Sequence, residues 1–179
     1  MILFSKVANN LCSILKIANK NIITYYSHYI MEQIAEIHIE CDLSVDTNEI
    51  TLENIDQLDK LNGFDISYLK KELKKGSKIF GIYAYTDDKI IGYVWCALKG
   101  GKDRQYLVKD SDIYIFDVFT DSRFRGHNIA PYLINLLTKK YASDGSKIRL
   151  AVRKSNTSAI RAYQKIGFSI VSEKNFCVY

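Results

Sequence analysis

Two stretches in the C-terminal part of this 179-residue chain carry residues whose types and spacing could do chemistry. The first is Arg123-Phe124-Arg125-Gly126-His127-Asn128-Ile129-Ala130, where an alternating apolar run hands over to helical spacing. Main-chain N–H groups at a helix start have no intrahelical partner, and the helix dipole adds partial positive charge there. Gly126 lets the main chain approach a bulky anion without a side chain in the way. Pyrophosphate is the natural guest of such a junction. Neither GxxxxGK[ST] nor GxGxxG, the commoner nucleotide loops, occurs in the chain. Taken alone, the stretch is as readily an ordinary strand–helix corner with exposed arginines. The second stretch, Asn156 to Phe168, reads as a helix opened by polar residues and closed by Gly167. Its Ala159, Ile160, Tyr163 and Ile166 share one face, which turns the phenol of Tyr163 toward a sheet and away from water. A buried phenol wants a hydrogen-bond partner; a structural bond is the plain explanation, and delivery of a proton is the chemical one.

The elements that must position these residues follow from periodicity. Ile37, Ile39, Cys41 and Leu43 alternate with polar residues, which predicts a strand over 36–43 with one wet face. A helix is expected from a Thr51 cap through Leu61, and a second from Asp65 through Leu73. Strands over 78–86 and 89–98, joined at Asp87-Asp88, read as a hairpin. A strand over 112–120, a helix over 127–142, a strand over 147–153, a helix over 156–166 and an extended stretch over 168–179 complete the order. The helix between strands 112–120 and 147–153 implies a right-handed parallel crossover. With the final stretch supplying more than one strand, the fold class is α/β, with a mixed sheet of about seven strands and helices on both faces. Residues 1–35 are expected to form a partly helical N-terminal extension, and 36–179 the principal domain. Within the extension, residues 1–20 form a basic amphipathic segment, while 21–34 fit helix and strand equally. The apolar stripe of 1–20 suits packing on the protein's own body, a second subunit in a homodimer, or an anionic membrane surface.

Composition narrows the function classes. With 25 basic and 20 acidic residues the charge is too balanced for a dedicated nucleic-acid binder. Five of the six arginines, Arg123, Arg125, Arg149, Arg153 and Arg161, nonetheless lie in one stretch, which is where an anionic ligand would be sought. The four cysteines share no CxxC spacing and the three histidines supply no ligand pattern, so no metal is expected. With no signal-peptide pattern and no apolar run of membrane-spanning length, a cytoplasmic protein is expected.

Together the two stretches resemble the GNAT superfamily of acyl-CoA-dependent N-acetyltransferases. The family's pyrophosphate loop, [QR]-x-x-G-x-[GA], corresponds to Arg125 through Ala130, and its N-x-x-[AS]-x-x-x-Y-x-x-x-G-F signature to Asn156 through Phe168. One departure stands out: Asn128 occupies a place where the family usually has Gly, and its side chain could crowd a diphosphate. The resemblance implies that strands 112–120 and 147–153 splay and admit the pantetheine arm of acetyl-CoA. Main-chain groups near Val118, Phe119 and Thr120 would bind that arm. Gly126, His127, Asn128, Ile129 and Ala130 would hold the pyrophosphate, with Arg123 or Arg125 on a phosphate oxygen and Asn156 near the cofactor. Tyr163 matches the family's general acid. Some protein-modifying members carry a glutamate base five residues before the Asn; here that residue is Ala151, and Asp117 is the candidate base, acting through water. Tyr93 and Trp95 are candidates for an aromatic acceptor wall, although core packing is the commoner fate of such residues. The implied activity is acetyl transfer from acetyl-CoA to a primary amine of a small acceptor, an amino sugar being one candidate. A protein amine as acceptor and a degenerate CoA-binding regulatory module are the alternatives.

Overall fold

The structure is a computed structural model that describes residues 24–33, 39–58, 61, 66–101, 108, 113–143 and 145–178. Among these, one sheet contains β1 (Thr24–Gln33), β2 (Asp46–Glu49), β3 (Ile79–Thr86), β4 (Lys89–Ala97), β5 (Ile113–Thr120), β6 (Ile148–Arg153) and β7 (Ser169–Val178). Its spatial order is β2-β3-β4-β5-β6-β1-β7. All neighbouring pairs run antiparallel except β5 with β6. The described helices are α1 (Ser67–Lys74), α2 (Ile129–Tyr141) and α3 (Thr157–Lys165), with short 3-10 turns at Ile55–Gln57 and Ser122–Phe124. Because β5 and β6 are parallel no tight turn can join them, and α2 makes the crossover.

The strand β4 shows why the centre of the sheet reads as a nearly unbroken apolar run. Ile91, Val94 and Cys96 enter the core beneath α2 and α3, beside Leu133, Ile134 and Leu137. Tyr93, Trp95 and Ala97 enter a second core on the other face, beside Ile55, Leu58 and Leu69. A strand covered on both faces has no polar side to alternate with. The hairpin from β3 to β4 turns at Asp87 and Asp88, whose φ values of 47° and 60° give the primed turn that matches strand twist.

One open reading is resolved and two expectations are corrected. Residues 24–33, compatible with either helix or strand, are a strand of the central sheet, paired with β6 on one side and β7 on the other. The sheet therefore draws on residues assigned to an N-terminal extension, and the division at 35/36 does not separate the two. The strand expected over 36–43 is not formed by its described residues, 39–43. They alternate between half-buried and exposed because one side of an extended coil lies against α2, where Asn135 Nδ2 donates to Ile39 O at 3.5 Å. Period-two burial needs a surface on one side, not a strand partner. Over the described residues 51–58 the helix expected from Thr51 is only the turn at Ile55–Gln57, while Leu61 is helical. Asn54 accepts from Thr51 N at 2.8 Å and donates to Glu49 O at 2.9 Å, local bonds that compete with a helical ladder. Residues 1–20 and Asp65 lie outside the described residues. No described helix is long and apolar enough to cross a membrane.

Candidate active site

β5 and β6 run paired only from Ile113 opposite Ile148 to Ile115 opposite Leu150. Beyond that point the β6-facing edge of β5 has no strand partner among the described residues. On its other side, β5 sets Phe116 opposite Trp95 and Phe119 opposite Tyr93, so Asp117 and Val118 together oppose Val94 alone. This is a β-bulge, and Asp117 adopts φ 46° within it. An extra residue bends its strand and increases local twist, which carries β5 away from β6. Asp tolerates the left-handed region better than most residues with a Cβ. Asp117 thus has a backbone reason for its place, and its side chain is exposed.

The same strand leads directly into the anion loop. Asp121 caps the Ser122–Phe124 turn by accepting from Arg123 N at 2.9 Å. Gly126 follows with φ 89°, and a Cβ built on it would meet nothing within 4 Å. The glycine is needed for its backbone angle, and the space in front of it is open to a ligand. Asn128 is also left-handed, at φ 58° and ψ 20°, immediately before α2 begins. The first helical bond of α2 runs from Tyr132 N to Asn128 O. Among the described residues no main-chain carbonyl accepts from the amides of Gly126, His127, Asn128, Ile129 or Ala130. Left-handed residues close together, with successive N–H groups unspent, make an anion-binding concavity. Gly92 helps to seat the helix, because a Cβ there would come within 2.9 Å of Ile129 Cγ2.

Tyr163 lies on α3, on the same face of the sheet as α2, and is 8% exposed. Its ring is tilted against Phe168 at 6.0 Å. Burial pushes its phenol up to about 12, so it stays protonated across the ordinary pH range. Both ends of α3 are secured. Asn156 accepts from Ala159 N at 3.2 Å as the N-cap, and Gln33 on β1 donates to Ile166 O at 2.7 Å. The first strand therefore helps to fix the helix that carries the phenol.

A family model described as the acetyltransferase (GNAT) family matches residues 31–168. The chain belongs to that family. N-alpha-acetyltransferase 50 of Danio rerio is 30% identical over 136 residues, covering 73% of this chain and 77% of the relative. Among solved structures, a GCN5-related N-acetyltransferase-like protein from Streptococcus suis 89/1591 superposes with a TM-score of 0.67 at 11% identity, over 93% of this chain and 66% of that one. An aminoglycoside N-acetyltransferase in complex with CoA gives 0.58 at 15% identity, over 71% of this chain and 93% of that one. At these identities the structures speak for the fold.

Within this acetyltransferase the expected site residues divide. Val118, Phe119 and Thr120 lie on the stretch of β5 that no longer pairs with β6, and Gly126 through Ala130 form the loop that follows it. Arg123 is already engaged: its guanidinium forks onto Asp121, with Nη2 to Oδ2 at 2.6 Å and Nε to Oδ1 at 3.2 Å. This pairing holds the Asp121 carboxyl down to about 2. Arg125 is held more loosely, Nε to Thr120 O at 3.5 Å. Asn156 uses its side-chain oxygen within α3, also accepting from Ser158 Oγ at 3.0 Å. Tyr93 and Trp95 are 1% and 0% exposed and belong to the second core, stacked on Phe119 and Phe116 respectively. Their rings present no open wall, which corrects the expected direct contact of these rings with an acceptor. Trp95 Nε1 is nonetheless buried with no hydrogen-bond partner. The bulge and the approach of Asp42 to Asn128 arise only in the folded chain. No local signal marks Asp42, which reads only as a residue on the wet side of an alternating run.

Proposed function

We propose that this acetyltransferase uses acetyl-CoA to acetylate the primary amine of a small acceptor, by direct attack of the amine on the thioester. The observation that carries the reading is the continuity of β5. One strand provides an edge that parts from β6 after Ile115 and then, through a single turn, the open amides of Gly126 to Ala130. A strand edge without a neighbouring strand suits an extended amide-bearing arm, and the loop suits its diphosphate. The space in front of Gly126 agrees with that fit.

Acetyl-CoA supplies an activated carbonyl and an anionic handle. The amides of Gly126 to Ala130 hold the handle, with Arg125 on a phosphate oxygen. Main-chain groups of Val118 to Thr120 would orient the arm, and one N–H among them would face the carbonyl oxygen where negative charge develops. One preorganised donor of this kind is typically worth about 3 kcal/mol. Asp117 accepts the amine's proton through water, and the Tyr163 hydroxyl donates a proton to the departing sulfur. Against a thiol of ordinary acidity, a phenol at about 12 would make that last transfer uphill by roughly 5 kcal/mol. Positioning of the hydroxyl against the sulfur has to offset that difference.

Ala151 supports a small acceptor, since it stands where some protein-modifying members carry a glutamate. The aminoglycoside-acetylating structural neighbour is consistent with this choice. The 30% identity to N-alpha-acetyltransferase 50 favours a second reading, in which the acceptor is a protein α-amine. Thiol release from acetyl-CoA, followed with aminoglycosides and amino sugars on one side and short unblocked peptides on the other, decides between them. Turnover on the small amines is expected. Turnover confined to peptides would select the second reading, and CoA binding with no turnover on either would leave a regulatory module.

A further inference from the structure

We infer that Asp42, on the coil formed by residues 39–45, is the positioning residue that keeps Asn128 out of the diphosphate's way; this rests on the acetyl-CoA reading above. Where the family loop usually has Gly, Asn128 places a carboxamide beside the amides that must meet the phosphates. That carboxamide is drawn toward Asp42. Asn128 Nδ2 donates to the two carboxylate oxygens of Asp42 at 3.2 and 3.4 Å. The carboxylate is delivered from a backbone that is itself pinned to the loop. Asp42 N donates to His127 O at 3.3 Å, and Cys41 Sγ donates to the same carbonyl at 3.3 Å. Three residues earlier, Ile39 O accepts from Asn135 Nδ2 at 3.5 Å, tying the coil to the side of α2. Two consecutive residues thus grip the His127–Asn128 unit from 86 positions away in sequence.

The grip serves two ends. It opposes rotation of the Asn128 side chain across the loop, and it supports a left-handed backbone that a residue with a Cβ adopts reluctantly. The cost is a negative charge near an anion site. Asp42 is exposed, so the high dielectric of the water around it weakens that repulsion, whereas the bonds act at contact. If repulsion prevailed, removing the carboxylate would tighten cofactor binding. If positioning prevails, removing it loosens binding, and the two effects differ in sign.

The experiment measures CoA binding by calorimetry and acetyl-CoA kinetics on the full chain, with a thermal melt of each variant to confirm folding. Asp42→Ala is expected to raise Kd and KM about five- to tenfold while kcat at saturation holds, the range expected for one charge-assisted bond at a wet site. Asp42→Asn, which keeps an acceptor oxygen, recovers most of that loss although it lacks the charge. In an Asn128→Gly background there is no side chain to hold, so adding Asp42→Ala changes nothing further. Unchanged or tighter binding by Asp42→Ala would overturn the inference, as would a double variant as weak as Asp42→Ala alone. Failure of the unmodified chain to bind CoA would overturn the acetyl-CoA reading itself, and with it this inference, before any variant is compared.

Discussion

Ile115 of β5 and Leu150 of β6 are the last residues paired across the parallel seam, and the bulge at Asp117 begins two residues further along β5. These features have one cause. A bulged strand cannot keep its register with a straight neighbour, so the ladder that opens at Ile113 and Ile148 stops after three pairs. The gap is therefore a property of the strand itself, and the loop that follows inherits its direction.

Tyr163→Phe tests the phenol as proton donor. The ring stays in place in the variant, and the core around Phe168 and Ile166 is retained, so the melting temperature should move little. A positioned acid typically contributes about 100-fold or more. The expected outcome is a loss of that order in kcat, with KM for acetyl-CoA close to wild type. A kcat within a few-fold of wild type would assign the hydroxyl a structural role only.

Alkaline pH should destabilise the fold in a defined window. Burial raises Cys96 from 9.0 to about 12 and Tyr163 from 10.0 to about 12. Both groups stay protonated in the folded chain after the unfolded chain has begun to ionise. Above pH 9 the unfolded state binds fewer protons, so this stabilisation is complete below pH 9 and is lost as pH rises toward about 12. Urea midpoints at pH 8, 9.5 and 10.5 should fall in that order. Cys96→Ala should flatten the first part of the decline, and an unaltered slope would contradict the assignment.

The two loop arginines should behave differently. Because Arg123 is already forked onto Asp121, Arg123→Ala should change KM for acetyl-CoA by no more than about twofold. Arg125→Ala should raise it about five- to tenfold, with a shallower salt dependence, since a phosphate–guanidinium contact is lost. The reverse ranking in salt-titrated kinetics would show that Arg123 leaves Asp121 to bind the anion.

Met31 tests the place of the first strand. It is 0% exposed and packs in the core shared by α2 and α3. Met31→Ala should cost about 3 kcal/mol in denaturant unfolding, the usual range for truncating a buried Met. A loss below about 0.5 kcal/mol, as surface positions give, would mean that residues 24–33 are not part of the sheet.

Much of this protein is legible locally. The helices α2 and α3, the hairpin at Asp87-Asp88 and the apolar face that carries Tyr163 follow from spacing and turn chemistry within short windows, because the interactions that decide them lie within a few residues, and the parallel crossover follows from the element order those windows give. The fork of Arg123 onto Asp121, two residues away, was equally within reach. What only the tertiary structure decided is what covers each buried side. Alternation over 37–43 shows that one side is covered, but α2, not a neighbouring strand, covers the described part of that segment. The mixed pattern of 24–33 resolves as a strand only when β6 and β7 flank it. The link between Asp42 and Asn128 likewise exists only because the chain returns to its own loop after 86 residues. Periodicity records that a surface is buried, while the partner's identity depends on contacts distant in sequence, and those exist only once the chain has folded.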